Sequence, residues 1–257
     1  MFAIFKREFS SYFKSPVGYV AIAIFAFLSG IVFVNSFTSG QVNISSEVIT
    51  LRSFFSVLVP IITMGLFAED RKRGTEVLYY TSSVKLYNVV FGKFFAAMSL
   101  FFVMFVNVFV HMIVTAFCGG VIDAGTWGSV IVYFFLAALF VAVGLLASSL
   151  TDNQIISAIL SFIMIILIQM LTTLSNLASA ALTSFFTDVF SFVAAEKVTS
   201  AVSKFADAIK WIDPFFRTTD FRSGVFSVSA LFYCFSFGFV FLFLTYRVLE
   251  KKRWSQS

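Results

Sequence analysis

Residues 69–93 read EDRKRGTEVLYYTSSVKLYNVVFGK, the longest strongly charged segment in a chain that is otherwise mostly apolar. Long hydrophobic runs stop before it and resume after it. It carries the cations Arg71, Lys72, Arg73, Lys85 and Lys93. That density of Lys and Arg between two apolar runs marks a cytoplasmic loop between membrane spans. The remainder of the chain reads outward from it.

The composition calls for a membrane. Of 257 residues, 60% are hydrophobic and 12% charged, and the mean hydropathy is +0.97. A soluble domain of this length has too little polar side chain left to cover its surface. The apolar runs are about 20 residues long, which fits helices, whereas barrel strands would alternate in segments of about ten. The expected fold is all-α and polytopic. A net charge of +5 and a pI of about 9.2 would suggest nucleic acid as the partner of a soluble protein. Here the cations cluster at span ends, where topology and anionic headgroups account for them, so no nucleic-acid partner is expected. Cys118 and Cys234 fall in or beside predicted spans and read as free apolar thiols.

Six spans are predicted, at about 17–35, 54–68, 92–118, 128–150, 155–174 and 225–246. Residues 2–16 are amphipathic: Phe2, Phe5, Phe9, Tyr12, Phe13 and Pro16 share one helical face, opposite Arg7, Ser10, Ser11, Lys14 and Ser15. This pattern predicts an interfacial helix that Pro16 ends, against a competing reading as a plain cytosolic tail. No small-residue cleavage site closes the first apolar run, so a retained span is expected rather than a signal peptide. Residues 36–49 are rich in Ser and Thr, lack Lys and Arg, and read as a polar loop, with Arg52 placed to snorkel beyond it. Residues 119–127 and 151–154 read as short turns. In segment 175–224, Phe186, Val189, Phe190, Val193, Val202, Phe205, Ile209 and Ile212 alternate at helical spacing with Glu196, Lys197, Ser200, Lys204, Asp207 and Lys210. That predicts an amphipathic helix, and 178–192 is apolar enough to dip into the bilayer.

Six spans place both termini on one side. Twelve of the 18 Lys and Arg residues lie on that side with the charged loop; five of the remaining six fall in 175–224, where the rule is weaker. The chain is therefore read as one domain of the plasma membrane, with both termini cytoplasmic.

Several chemistries are excluded by what the sequence lacks. There is no G-x-x-x-x-G-K-[ST] phosphate loop, no H-E-x-x-H, and only one His, so neither a nucleotide site nor a zinc site is expected in this chain. Past Lys93 at the edge of span three, the predicted spans hold almost no ionisable group of the kind that couples ions, and His111 is the exception. With Asn107 and Thr115 one turn to either side, and Ser99 further down, it forms a polar stripe. Gln169 and Thr173 make a similar pair in span five. Asn107, His111, Gln169 and Thr173 are candidates for lining a substrate route; the competing reading is that they hydrogen-bond to a neighbouring helix or subunit.

With neither an ion relay nor an ATPase evident, attention returns to the loop. Gly74 can end one helix, and Thr75-Glu76 can begin a short one, with Thr75 as its cap. Leu78, Tyr79 and Tyr80 then have no evident core to enter, and exposed anchors in a charged surround suit a docking site. The alternative is a solvated loop whose rings fold back to the interface.

At this loop the chain resembles the permease subunits of ABC-2 type transporters. The residues carrying the resemblance are Glu69, Arg71, Gly74-Thr75-Glu76, Leu78, Thr81-Ser82 and Gly92-Lys93; Ser83 stands where the family often has Pro. Lys6-Arg7-Glu8-Phe9, Tyr12-Phe13 and Ser15-Pro16-Val17-Gly18-Tyr19 match at the N-terminus. Asp213-Pro214-Phe215, Asp220-Phe221-Arg222-Ser223-Gly224-Val225, Arg247, Leu249-Glu250 and Arg253-Trp254 match towards the end. The likeness is nearest to the gliding-motility-associated and copper-site-maturation permeases. It implies a six-span subunit that pairs with a second copy or a paralogue, sits on a separate ATP-binding subunit that carries Mg-ATP, and binds no cofactor itself. It implies an N-terminal elbow helix (2–16), a cytoplasmic coupling loop (69–91) and an external helical hairpin (175–224), with room for an accessory extracellular protein. Gly74, Thr75, Glu76, Leu78, Tyr79 and Thr81 would meet the ATPase. The chain would then be a non-enzymatic exporter subunit; the other reading carried forward is a self-sufficient channel or secondary carrier.

Overall fold

A computed structural model describes residues 1–38, 43–81, 84–189, 195–223 and 226–255. Of the sequence expectations, those on Ser82, Ser83, Phe190, Val193, Gly224 and Val225 lie outside the described residues. So do those on the side chains of Tyr80, Thr81, Val189, Glu196, Lys197 and Arg222.

The described residues are helical, without a strand. In chain order the helices are α1 (Phe2–Lys14), α2 (Pro16–Thr38), α3 (Ile44–Ser53), α4 (Phe55–Thr63), α5 (Gly65–Lys72), α6 (Val77–Thr81) and α7 (Leu86–Phe117). There follow α8 (Ala124–Leu150), α9 (Gln154–Gln169), α10 (Leu171–Val189), α11 (Ala195–Ile212), α12 (Pro214–Arg217), a 3-10 turn (Thr219–Ser223) and α13 (Val228–Ser255). Four of these, α2, α7, α8 and α13, are long and apolar enough to cross a membrane. Two bent pairs raise the number to six if each is one span: α3 with Phe55–Lys72, at 59°, and α9 with α10, at 55°.

The helix ends follow from local chemistry. Extended backbone at Ser15 separates α1 from α2, which then opens on Pro16, where the missing N–H costs nothing. Asp123 caps α8 by accepting from the Thr126 N–H at 2.8 Å, and Asn153 caps α9 by accepting from Ile155 at 2.9 Å. The expected turn at 119–127 is therefore shorter than the sequence suggested, and α8 begins at Ala124.

The polar loop expected over 36–49 is corrected in its second half, which is helix α3. Asn43 caps it by accepting from the Ser46 N–H at 3.2 Å. Ile44, Val48 and Leu51 are buried, and Ser45 shares a 2.7 Å hydrogen bond with Ser129 of α8. Ser45 and Glu47 are buried and partnered inside the bundle, while Thr50 and Ser53 stay exposed. Arg52, expected to snorkel, turns to α12 instead, donating to Thr218 at 3.4 Å with its guanidinium over the Phe215 ring at 5.7 Å.

The centre is α8. In its most apolar stretch 78% of the residues are buried, against 22–39% for the other three unbent spans. It packs against α3, α4, α5, α7, α9 and α13. Tyr133 of α8 sits among Phe55 (4.9 Å between centroids), Phe105 (4.7 Å) and Phe25 (6.5 Å), offset and edge-on as aromatic quadrupoles prefer. Small residues let backbones close. A Cβ on Gly144 would lie 2.3 Å from Thr63 Oγ1, so the α4–α8 crossing depends on its absence. Ser148 stitches α5 to α8: its hydroxyl accepts from the N–H groups of Phe67 (3.0 Å) and Ala68 (3.2 Å) and donates to the Met64 carbonyl (3.1 Å). Backbone groups near a helix break inside a membrane need such a partner. Cys118 is exposed, Cys234 is buried, and both are free thiols.

Candidate functional site

At the end of the bundle where the charged segment lies, four helices meet around one buried cation. Lys93 lies two turns into α7 and its side chain is wholly buried. Its ammonium donates to Asp70 Oδ2 at 2.6 Å and to the Leu66 carbonyl, and lies 3.0 Å from Glu8 Oε1. Asp70 and Leu66 belong to α5, and Glu8 to α1. Arg7 of α1 pairs with Glu8 and lies 3.6 Å from Asp70. Two cations thus face two carboxylates. A buried ammonium is tolerable only with such compensation.

Tyr79 of α6 closes the cluster. Its hydroxyl accepts from Arg7 and donates to Asp70 Oδ2 at 2.6 Å. Burial pushes the phenol above its usual pKa, so it remains protonated and keeps that donor. This corrects the expectation that Tyr79 is an exposed anchor. It is only 7% exposed, because the carboxylate and guanidinium waiting inside satisfy its hydroxyl. Leu78 stands out at 60% exposure and Val77 at 53%. The five-residue helix α6 therefore has Tyr79 locked inward and Leu78 exposed.

The other loop residues fall around it. Gly74 adopts φ +69°, the left-handed conformation that glycine accepts without strain, and turns the chain from α5 towards α6. Thr75 does not cap α6 with its side chain; its hydroxyl turns back to the Asp70 carbonyl (3.1 Å) and carboxylate (3.0 Å). Glu76 is buried and accepts from Arg71 Nε at 2.9 Å. Arg71 also reaches the carbonyls of Ser149 (2.5 Å) and Thr151 (2.8 Å), joined by Lys252 of α13, which donates to Ser149 at 3.2 Å. The C-terminal carbonyls of α8, unpaired within the helix, are so neutralised by cations. Thr81 ends α6.

The second set of candidates falls in two pairs, Asn107 and His111 on α7 and Gln169 and Thr173 on either side of the α9–α10 bend. His111 is matched with Glu47 of α3, Nδ1 donating to Oε1 at 2.8 Å, while the Ser29 hydroxyl of α2 donates to the same oxygen at 2.7 Å. Phe33 stacks on the imidazole at 4.2 Å. His111 thus ties three helices together, as the competing reading had it. Asn107, one turn away, has a buried amide nitrogen without a hydrogen-bond partner among the described residues. Gln169 ends α9, with its amide nitrogen also buried and unpaired among the described residues, while Thr173 is exposed beyond the bend in α10.

Glu8, Asp70 and Lys93 as a cluster, and Glu47 as a buried acid, escape a reading of the sequence alone. One signal was available: Lys93 interrupts the apolar series Val89, Val90, Phe94 and Ala96, and a cation inside such a helix requires an acid nearby. A scan against models of protein families finds no match, and a comparison with curated proteins finds none either.

Proposed function

We propose that this chain is the membrane subunit of an ABC-2 type exporter, moved by a separate ATP-binding subunit that grips α6 from the cytoplasm. In this reading the two bent pairs are spans, making six, and both termini are cytoplasmic in the plasma membrane. Helix α1 is the elbow helix, α6 the coupling helix, and α10–α11 the external hairpin. The chain works as a pair with a second copy or a paralogue. It performs no chemistry; Mg-ATP binds and is hydrolysed on the partner.

One observation carries the proposal. Helix α6 presents Val77 and Leu78 outward while Tyr79 fastens it to α1 and α5 and, through Asp70, to α7. A push on Leu78 is passed to three helices at once. Exposed apolar anchors next to charged residues suit a cleft on a protein partner. The sequence resemblance at residues 69–93 names the class of partner.

The test is purification of the tagged chain from its native membranes in mild detergent, followed by measurement of vanadate-sensitive ATP hydrolysis. Leu78→Asp is expected to remove the ATPase subunit and its activity while the chain stays folded. An undiminished complex with unchanged ATP turnover refutes the coupling role. The Glu47–His111 pair supports a second reading, a self-sufficient carrier, because ionisable pairs inside membranes often move protons or ions. Transport by the chain alone in liposomes, abolished by His111→Ala, would establish that reading instead.

A further inference from the structure

The crevice between α7 and α13 holds two hollows, one above the other. The upper one, about 510 Å³, is lined by Lys85, Tyr87, Tyr246, Glu250, Arg253 and Trp254. The lower one, about 360 Å³, is apolar, with Phe91, Phe95, Phe239 and Leu242 on its walls. Each helix steps from one hollow to the other in a single turn: Tyr87 to Phe91 on α7, Tyr246 to Leu242 on α13, about 6 Å in each case. The lining residues of the two hollows thus stand one turn apart on both helices.

We propose that this crevice binds one anionic phospholipid, its phosphate in the upper hollow and an acyl chain in the lower. The proposal rests on the membrane embedding alone and stands whether or not the chain is a transporter subunit.

Charge selects the headgroup. Among the described residues neither Lys85 nor Arg253 forms an ion pair, and Lys85 rests over the Tyr87 ring at 5.9 Å. The carboxylate in the hollow, Glu250, is already engaged: Arg247 donates to Oε2 at 2.6 Å and the Tyr246 hydroxyl to Oε1 at 3.1 Å. The surplus is therefore positive and matches a phosphodiester with a second anionic or neutral polar group. Tyr and Trp rings around it belong at headgroup depth.

Dimensions select a lipid over a free anion. From Tyr246 to Cys234, the far end of the lower hollow, α13 rises about 18 Å, a little over half of a bilayer core of about 30 Å. The groove owes its depth to Gly238 and Ala138. A Cβ at Gly238 would lie 3.6 Å from the Leu139 Cα and 4.0 Å from the Ala138 carbonyl, ordinary contact distances, so the position accepts a side chain sterically, and a larger one would fill the groove.

The experiment uses the full chain in detergent, comparing thermal unfolding with added dioleoyl-phosphatidylglycerol, dioleoyl-phosphatidylcholine or glycerol 3-phosphate. Phosphatidylglycerol at a hundredfold excess over its Kd is expected to raise the melting temperature by about 5–10 °C. The other two are expected to leave it unchanged. Lys85→Gln/Arg253→Gln should remove the response without altering melting in lipid-free detergent, and Gly238→Phe should remove it with the charges intact. Equal protection by phosphatidylcholine overturns the charge selection. Equal protection by glycerol 3-phosphate makes the site one for a free phosphate. No response to any ligand overturns the site. A Gly238→Phe protein that changes oligomeric mass while still answering to phosphatidylglycerol shows that a second copy covers the groove.

Discussion

Lys93→Met tests the cluster under α6 most directly. The ammonium it removes is wholly buried, 2.6 Å from Asp70 and 3.0 Å from Glu8. Two carboxylates would then share Arg7, whose side chain is half exposed and 3.6 Å from Asp70. Breaking a buried ion pair by deleting one partner costs about 3–5 kcal/mol, mostly for the charge left behind. For a chain of this length each kcal/mol moves the melting temperature by about 2–4 °C, so the expected fall is roughly 6–20 °C. Asp70→Asn alone leaves a surplus cation and also destabilises. The double variant Asp70→Asn/Lys93→Met restores neutrality, with Arg7 against Glu8, and is expected to melt above the Lys93→Met single. Both substituted groups contact each other, so their effects should fail to add by about 0.5–3 kcal/mol. The assay is loss of the folded chromatographic peak on heating in detergent, at one heating rate for all variants because unfolding in detergent is commonly irreversible. Additive losses, or a Lys93→Met protein that melts like the parent, would refute the account of a charge-balanced cluster.

Other substitutions test the bundle elsewhere. Gly144→Val should cost roughly 1–3 kcal/mol or more by overpacking against Thr63, and adding Thr63→Ala should recover part of it; the same melting assay reads both. His111→Ala should be harsher than Glu47→Gln, because the first leaves a buried carboxylate with only the Ser29 hydroxyl, by about 3–5 kcal/mol for the lost partner. Protease accessibility near α3 checks the order of the two, and equal sensitivity would contradict it.

The long spans were legible because uninterrupted apolar runs admit few other readings. Helices α2, α7, α8 and α13 cover stretches the hydrophobic pattern already marked, with ends shifted by up to nine residues, most at the end of α13. What failed was polar. Helix α3 looked like a loop because its Ser, Thr and Glu47 suggested water, and the group that buries Glu47 is His111, 64 positions away. Tyr79 looked like an anchor because three apolar or aromatic residues in succession cover more than half a helical turn. Which of them points inward depends on Asp70 and Arg7, brought there by other helices. The bends after Ser53 and Gln169 carry no Pro or Gly, so no local residue announces them. Gly74 was readable as a helix end, since its chemistry is local, whereas the caps Asp123 and Asn153 lay in stretches read only as turns.

The enclosure of α8 reaches beyond stability. A rod packed against six helices keeps only a narrow open flank, at Trp127, Ile131 and the groove over Ala138. The packing predicts that any rearrangement moves the outer helices around α8. Damage to α8 should therefore appear as loss of the protein from the membrane, whereas substitutions that retune its output belong on the rim.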